Sequence, residues 1–452
     1  MANNLSGRGE HIMPVRKVVI AGAGGRDFHN FNLYYRDCPD ARVVAFTATQ
    51  IPHIDGRKYP PELAGRYYPE GIPIVAEEEL PELIAAHRVD EVVFAYSDVS
   101  NQYVMELAAK VNTWGADFVL LSARHTTLAA GVPVVSVCAV RTGSGKSQTT
   151  RRVIRLLRDA GKLVVAVRHP MPYGDLVRQK VQRFAAMEDL DRHQCTIEER
   201  EEYEPHLAAG VVVYAGVDYG AILEQAQSEA DVIVWDGGNN DTPFYRSDLE
   251  IVVADPHRVG HERSYHPGLT NVLRAHVLLI NKVDTANGQD VQALRANLRA
   301  LNPRAMIIEA ASPIFVENGE LLRGKRVLCI EDGPTVTHGG MPFGAAVLAA
   351  RQHGARELVD PRPFLQGEYR AVFAKYPHLA RLLPALGYGE QQIRDLQATI
   401  DAADCDVIVC GTPIDLRRLI DFRAIPNVRV RYELQEIGKP DLADALREKG
   451  LI

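Results

Sequence analysis

An apolar stretch, Val134 to Val140, runs into Arg141-Thr142-Gly143-Ser144-Gly145-Lys146-Ser147. A helical stretch from Gln148 to Ala160 follows, ended by Gly161. This strand, glycine-rich turn and helix restrict the fold more than any other feature of the chain. A short strand that is apolar on both faces belongs inside a parallel sheet with helices packed over each side. The glycines let backbone N–H groups turn inward around an anion, and the helix start adds the positive end of its dipole. Lys146 then pairs with the β- and γ-phosphates of a nucleoside triphosphate, and the Ser147 hydroxyl ligates magnesium. The commonest form of this loop has glycine where Val140 stands, so the chain must enter the turn with different backbone angles.

The same alternation extends along the chain. Val18 to Ile20, Val43 to Phe46 and Val92 to Ala95 are β-branched runs separated by helical stretches, and Gly131-Val132-Pro133 marks a seam. A second series follows: Leu163 to Val167, Val211 to Tyr214, Val232 to Trp235, Ile251 to Ala254, Val277 to Ile280 and Met306 to Ile308. A third segment opens near Asp360-Pro361-Arg362-Pro363 and contains the strand Val407 to Cys410. The expected fold is α/β: a P-loop parallel-sheet core at 132–357, an N-terminal Rossmann-like domain at 1–131 and a small C-terminal α/β segment at 358–452. A length of 452 residues suits about three domains of ~150 residues.

A net charge of −7 argues against a general nucleic-acid binder, whose footprint is basic, although a local cationic pocket stays invisible in such a sum. The six cysteines form no C-x-x-C pair, and several lie in apolar runs, which implies reduced thiols in the cytoplasm. No apolar run nears the ~18 residues of a membrane span. The polar first fifteen residues predict an irregular start without export.

Two further strand tips complete the nucleotide reading. Asp231 to Trp235 ends in Asp236-Gly237-Gly238-Asn239-Asn240-Asp241. An acid at the tip of a strand beside a phosphate loop holds magnesium directly or through water, so Asp236 is assigned to the metal. Val277 to Ile280 ends in Asn281-Lys282-Val283-Asp284. A carboxylate at Asp284 accepts both the N1–H and N2–H of guanine, a donor pair adenine lacks, while Asn281 and Lys282 hold the loop and the base plane. Ser312, after the next strand, lies where a second base-contacting loop is expected. These spacings favour GTP.

Taken together, Ala21 to Asn30, the phosphate loop, Asp236 to Asp241 and Glu331 to Gly340 resemble the cyclic 2,3-diphosphoglycerate synthetase family and its bacterial relatives described as predicted GTPases. They belong to the P-loop class of dethiobiotin synthetase and the metallochaperone GTPases. The resemblance covers most of the chain. It implies ATP and closure of an intramolecular phosphoanhydride on a small phosphorylated metabolite.

Other loops are candidates for that second substrate. Gly22-x-Gly24-Gly25 follows the first strand and makes an anion site by geometry, with Arg26 and His29 beside it. The second strand ends Phe46-Thr47-Ala48-Thr49 with no acid for a ribose, which disfavours a dinucleotide. Arg168 and His169 follow the strand beside the phosphate loop and can neutralise a transferring group, and Asp175 can join the magnesium shell. Arg258 sits in a loop rich in cationic groups, and Thr335, Thr337 and His338 can donate to phosphate oxygens. Glu198 to Glu202 reads as a solvated helix face. The expectation is a magnesium-dependent ATP or GTP phosphoryl-transfer enzyme, a homo-oligomer (dimer), acting on a small anionic metabolite, with a regulatory or metallochaperone-type GTPase as the alternative.

Overall fold

A computed structural model of the chain describes residues 15–49, 54–169, 174–238, 240–386, 390–423 and 425–452. The polar start at 1–14, Pro170 to Tyr173 of the loop after Arg168, and Asn239 lie outside the described residues. Two compact units emerge: Met1–Tyr96 with Met105–Thr126, and Ser97–Val104 with Thr127–Ile452. The short excursion at 97–104 belongs to the second unit because Val99–Ser100 pairs antiparallel with Tyr265–His266.

The first unit is built on a six-stranded sheet. Its parallel strands run in the spatial order Ile72–Ala76, Ala41–Ala48, Arg16–Ala21, Glu91–Phe94 and Asp117–Leu120, with Lys58–Tyr59 antiparallel at one edge. Strand order therefore reverses direction at Arg16–Ala21, the doubly wound arrangement in which the loop after the first strand sits at the switch point. Val18, Val19, Ile20, Val92 and Val93 are fully buried, as strands covered on both faces require.

The second unit holds a nine-stranded sheet and a five-membered path of strands forming another. In the larger, Val212–Ala215, Val164–Arg168, Val232–Asp236, Val134–Ala139, Leu249–Ala254, Val277–Ile280 and Met306–Ala311 are neighbours in that order and all parallel. Gln182–Phe184 and Gln435–Glu436 close its edges antiparallel. The phosphate-loop strand is thus central, flanked by Val232–Asp236 on one side and Leu249–Ala254 on the other. This brings the tips of three strands, at Val140, Asp236 and Ala254, to the same end of the sheet.

The smaller sheet runs Ile314–Val316, Asn427–Tyr432, Val407–Gly411, Arg326–Asp332 and Glu357–Leu358, with Leu383–Ala385 also beside Arg326–Asp332. The seam drawn at 357/358 from sequence passes through this sheet. Its central strand, Arg326–Asp332, pairs in parallel with Val407–Gly411, and their apolar residues share one core.

Candidate active site

Residue 140 does not need to be glycine. The Val140 N–H stays in the sheet, donating to the Val253 carbonyl at 2.9 Å, and its own carbonyl accepts from Asn240 Nδ2 at 2.8 Å. Positive φ falls instead on Gly143 (79°) and Gly145 (108°), where a side chain would be strained. A Cβ on Gly145 would also collide with the Asn281 amide. The helix Lys146–Asp159 begins immediately after.

Asp236 is the hub. Its Oδ1 accepts from Lys146 Nζ at 2.6 Å and from Thr150 Oγ1 at 3.0 Å, its Oδ2 lies 3.2 Å from His206 Nε2, and the Arg168 guanidinium is placed against it. All of this is buried. Burial works to raise the Asp236 carboxyl, but the charges of Arg168 and Lys146 and the hydrogen bond with His206 outweigh it and hold the group well below the usual carboxylate range. Burial pushes the Lys146 ammonium down to about 8, with Arg168 adding to the effect and Asp236 opposing it. Burial likewise lowers His206 against the opposing pull of Asp236. The carboxylate is therefore ionised and held by donors on several sides. A bound phosphate would offer Lys146 a second acceptor. Ser147, one residue along, presents the hydroxyl that sequence assigns to magnesium.

The Asn281-Lys282-Val283-Asp284 segment reaches back to the phosphate loop. Asn281 Nδ2 donates to the Ser144 carbonyl at 3.0 Å, and Lys282 Nζ donates to the Gly143 carbonyl at 2.6 Å while pairing with Asp255 at 2.8 Å. Lys282 adopts φ 57° to do so. Asp284 is exposed and accepts from the Ser312 N–H at 3.1 Å, and Ser312 Oγ donates to Gln148 Oε1 at 3.1 Å. The residues read as base-contacting are thus brought together at the edge of the loop.

Arg258 also converges here. Its guanidinium donates to the Thr142 and Gly339 carbonyls, both at 2.8 Å, and to Ser144 Oγ at 3.1 Å. Thr335 packs its methyl group near Gly143, but its hydroxyl donates to Asp332. Thr337 is buried with its hydroxyl on the Gly333 carbonyl at 2.7 Å. Neither hydroxyl proton is free for a phosphate, contrary to the expectation, because both are spent stabilising the short helix Gly333–Val336. His338 is exposed, and its carbonyl accepts from Arg141 at 3.0 Å. The His169 ring lies beside Gly238, and its carbonyl accepts from Tyr203 at 3.1 Å. Asp175 is exposed and caps its own turn by accepting from Val177 N–H at 2.9 Å.

The glycine loop of the first unit turns out differently. Gly24, Gly25 and Phe28 all direct their N–H groups to Asp27 Oδ1, at 2.7, 2.8 and 2.7 Å. The anion cradle is real, but the chain's own carboxylate fills it. His29 is buried with Nε2 2.6 Å from the Thr126 carbonyl, and burial, reinforced by Arg26, pushes it down to about 3. A neutral core histidine cannot serve as the cationic partner expected of it. Arg26 is half-buried beside this loop.

The acidic run is also not a solvated face. In the helix Ile197–Ala208, Glu198, Glu199, Glu201 and Glu204 are 2%, 5%, 6% and 8% exposed. Three of them have a specific role or environment. Glu199 completes a capping box with Thr196, Glu204 pairs with Arg418 at 2.6 Å, and burial together with Asp332 pushes Glu201 well above the carboxylate range. His206, at the end of this helix, and Thr150 are site residues that the sequence did not announce.

No family model matches the chain. Arginine synthetase ArcE of Thermococcus kodakarensis is 59% identical to it over 433 residues, which is 96% of each chain. Among solved structures, LpxK from Aquifex aeolicus in complex with ATP aligns with 82% of this chain and 99% of its own, at 12% identity and a TM-score of 0.45. A ParA family ATPase from Chlorobium tepidum aligns with 39% of this chain and 84% of its own, at 14% identity and a TM-score of 0.25. The synthetase relative overturns the resemblance to cyclic 2,3-diphosphoglycerate synthetase. That resemblance rested on loops read as phosphate-binding, and such a reading carries no information about the acceptor.

Proposed function

The chain belongs to the family of arginine synthetase ArcE and is an enzyme, and from this premise we propose that it is a magnesium- and purine-nucleoside-triphosphate-dependent ligase that forms arginine. The observation that carries the reading is the pairing of that identity with the Lys146–Asp236 contact of 2.6 Å at the phosphate loop.

Forming a C–N bond at a carbon that bears oxygen requires the oxygen to become a leaving group. Transfer of the γ-phosphoryl to that oxygen achieves this, and a nitrogen nucleophile then expels phosphate. The balance is nucleoside triphosphate, oxygen-bearing precursor and amine giving arginine, nucleoside diphosphate and phosphate. Such a transfer needs positioning and charge neutralisation more than covalent help from the protein. The N–H groups of Gly143, Gly145, Lys146 and Ser147 cradle the phosphates, Lys146 moves from Asp236 toward the γ-phosphoryl oxygens, and Arg168 neutralises charge on the group in flight. Ser147 and Asp236 would hold magnesium. One hydroxyl, one carboxylate and otherwise phosphate and water oxygens are the donor set that ion takes, and it would supply neutralisation of the phosphate charge. Asn281 and Lys282 keep the loop in shape, and Asp284 with Ser312 faces the base.

The test is direct. Purified protein given magnesium, ATP or GTP, and a panel of oxygen-bearing precursors with nitrogen donors should release arginine and nucleoside diphosphate in equal amounts. Nucleotide turnover that never yields arginine would sink the ligase reading. For the base, Asp284→Ala should weaken GTP about tenfold or more beyond any loss for ATP, in line with the loss of a charged hydrogen-bond acceptor. Equal loss for both nucleotides removes the guanine contact.

A further inference from the structure

On the face of the helix Lys146–Asp159 that meets the smaller sheet lies a cavity of about 750 Å³. Its lining contains seven arginines and no lysine, against three acids, Asp159, Glu204 and Glu433. Six of the arginines come from two facing elements, and Arg418 comes from the short helix Leu416–Arg418. Arg151, Arg155 and Arg158 are spaced at i, i+4 and i+7, which places them on one side of the helix. Arg429 and Arg431 are alternate residues of the strand Asn427–Tyr432 and so share one face of it.

Carboxylates answer only part of this charge. Arg152 pairs with Glu436 at 3.0 Å, Arg418 with Glu204 at 2.6 Å, Arg155 with Glu433 at 3.6 Å, Arg431 with Glu317 at 3.4 Å and Arg429 with Asp415 at 3.7 Å, while Arg158 donates to the Ala209 carbonyl. Arg151 donates to the Tyr432 carbonyl at 3.4 Å and stands over the Tyr432 ring, with no carboxylate in ion-pair distance among the described residues. Arg429 Nε is buried without a hydrogen-bond partner among them. Guanidinium groups facing one another across a cavity repel unless an anion lies between them, and their planar forks match phosphate and carboxylate oxygens.

The cavity is not the triphosphate cradle. Arg158 lies about 18 Å along the helix axis from Lys146, at 1.5 Å per residue. The near end of the cavity is lined by Gln148 and His206, and His206 Nε2 lies 3.2 Å from Asp236. We propose that this cavity is a second anion site, taking a small polyanion with two or more phosphate or carboxylate groups, and that its occupancy is felt at Asp236 through His206. The inference does not depend on the ligase reading, since binding is measured without turnover.

Inorganic tripolyphosphate and citrate serve as probes in calorimetric titrations. In Lys146→Ala protein, with the phosphate loop disabled, at least one of them should still bind. The double variant Arg155→Glu/Arg431→Glu changes side chains that are 54% and 61% exposed, so it leaves the core untouched. Added to Lys146→Ala, it should weaken that binding about tenfold or more. Preference for tripolyphosphate assigns a phosphorylated ligand, and preference for citrate a polycarboxylate. Absence of binding by either probe, or an affinity indifferent to the charge reversal, overturns the site. If Lys146→Ala fails to fold by circular dichroism, the native loop background is used. There the charge reversal should remove one of two tripolyphosphate binding events, and a single event that it leaves unchanged overturns the site.

Discussion

Two glycine-rich turns in this chain follow a buried strand and open a helix, yet their counter-charges come from different parts of the chain. The turn at Gly22 to Gly25 points N–H groups at Asp27, two to three residues away in sequence, so it is closed by its own carboxylate. The turn at Gly143 to Ser147 has no acid within its own segment. Its lysine rests instead on Asp236, ninety positions along the chain, in a different strand. A cradle filled by a neighbour in sequence is a structural turn. A cradle whose counter-charge comes from another strand leaves room for a ligand to enter between the two. The difference lies in where the carboxylate is, and the glycine spacing alone does not reveal it.

The largest effect that separates the two turns is on turnover. Lys146→Ala should lower nucleotide turnover by about 10²–10³-fold, the scale of losing one preorganised charge at a developing oxyanion, while circular dichroism stays native. Retained turnover would make the second cradle as structural as the first.

At the first turn the effect should fall on stability. Asp27→Ala leaves three buried N–H groups without an acceptor and should cost about 2 kcal/mol or more in denaturant unfolding. Inorganic phosphate should recover part of that loss, by entering the vacated cradle, to a degree not seen in the unmodified chain. Unchanged stability would show that Asp27 does not close the turn.

Acid titration sharpens the same point. His29, pushed from 6.5 to about 3 in the folded chain, remains neutral where the unfolded chain takes a proton, so stability is lost as pH falls from 6.5 toward 3. Asp27 works in the other direction. Its carboxyl is raised from 3.8 to about 6, chiefly by burial against the opposing backbone N–H bonds, so the folded chain binds that proton first and regains stability as pH falls through this window. Asp27→Asn should therefore steepen the loss of stability between about pH 6 and 4, measured as midpoint against pH. A profile that flattens would reverse the sign argued here.

The smallest effect is expected at His206. It supplies one of four contacts to Asp236, so His206→Gln should reduce turnover by about tenfold or less. A loss as large as that of Lys146→Ala would give the ring a part in the chemistry itself.

Much of this site could be read in the chain. Strand, loop and helix from Val134 to Asp159 follow from a run of β-branched residues, two glycines and a helix-forming stretch, all local in sequence. Asp236, Asn281 and Lys282 were legible because each ends an apolar strand, and parallel strands bring such ends to one edge of a sheet. The acidic helix was not legible. Glu198 to Glu202 looks solvated because charge ordinarily seeks water, and nothing nearby in sequence announces Asp332 or Arg418 as neighbours of this helix. His206 was hidden for the same reason. The two arginine faces are each visible as spacings, but their opposition across one cavity is not.

The sequence by itself determined the α/β class, the phosphate loop and the polar strand tips, since these depend on backbone propensity, burial period and the chemistry of neighbouring residues. Only the tertiary structure decided which cradle was already filled, which acids were buried, and which cations faced one another. Those outcomes depend on electrostatic and hydrogen-bonding partners far apart in the chain, and such partners interact only once the fold has removed the water between them.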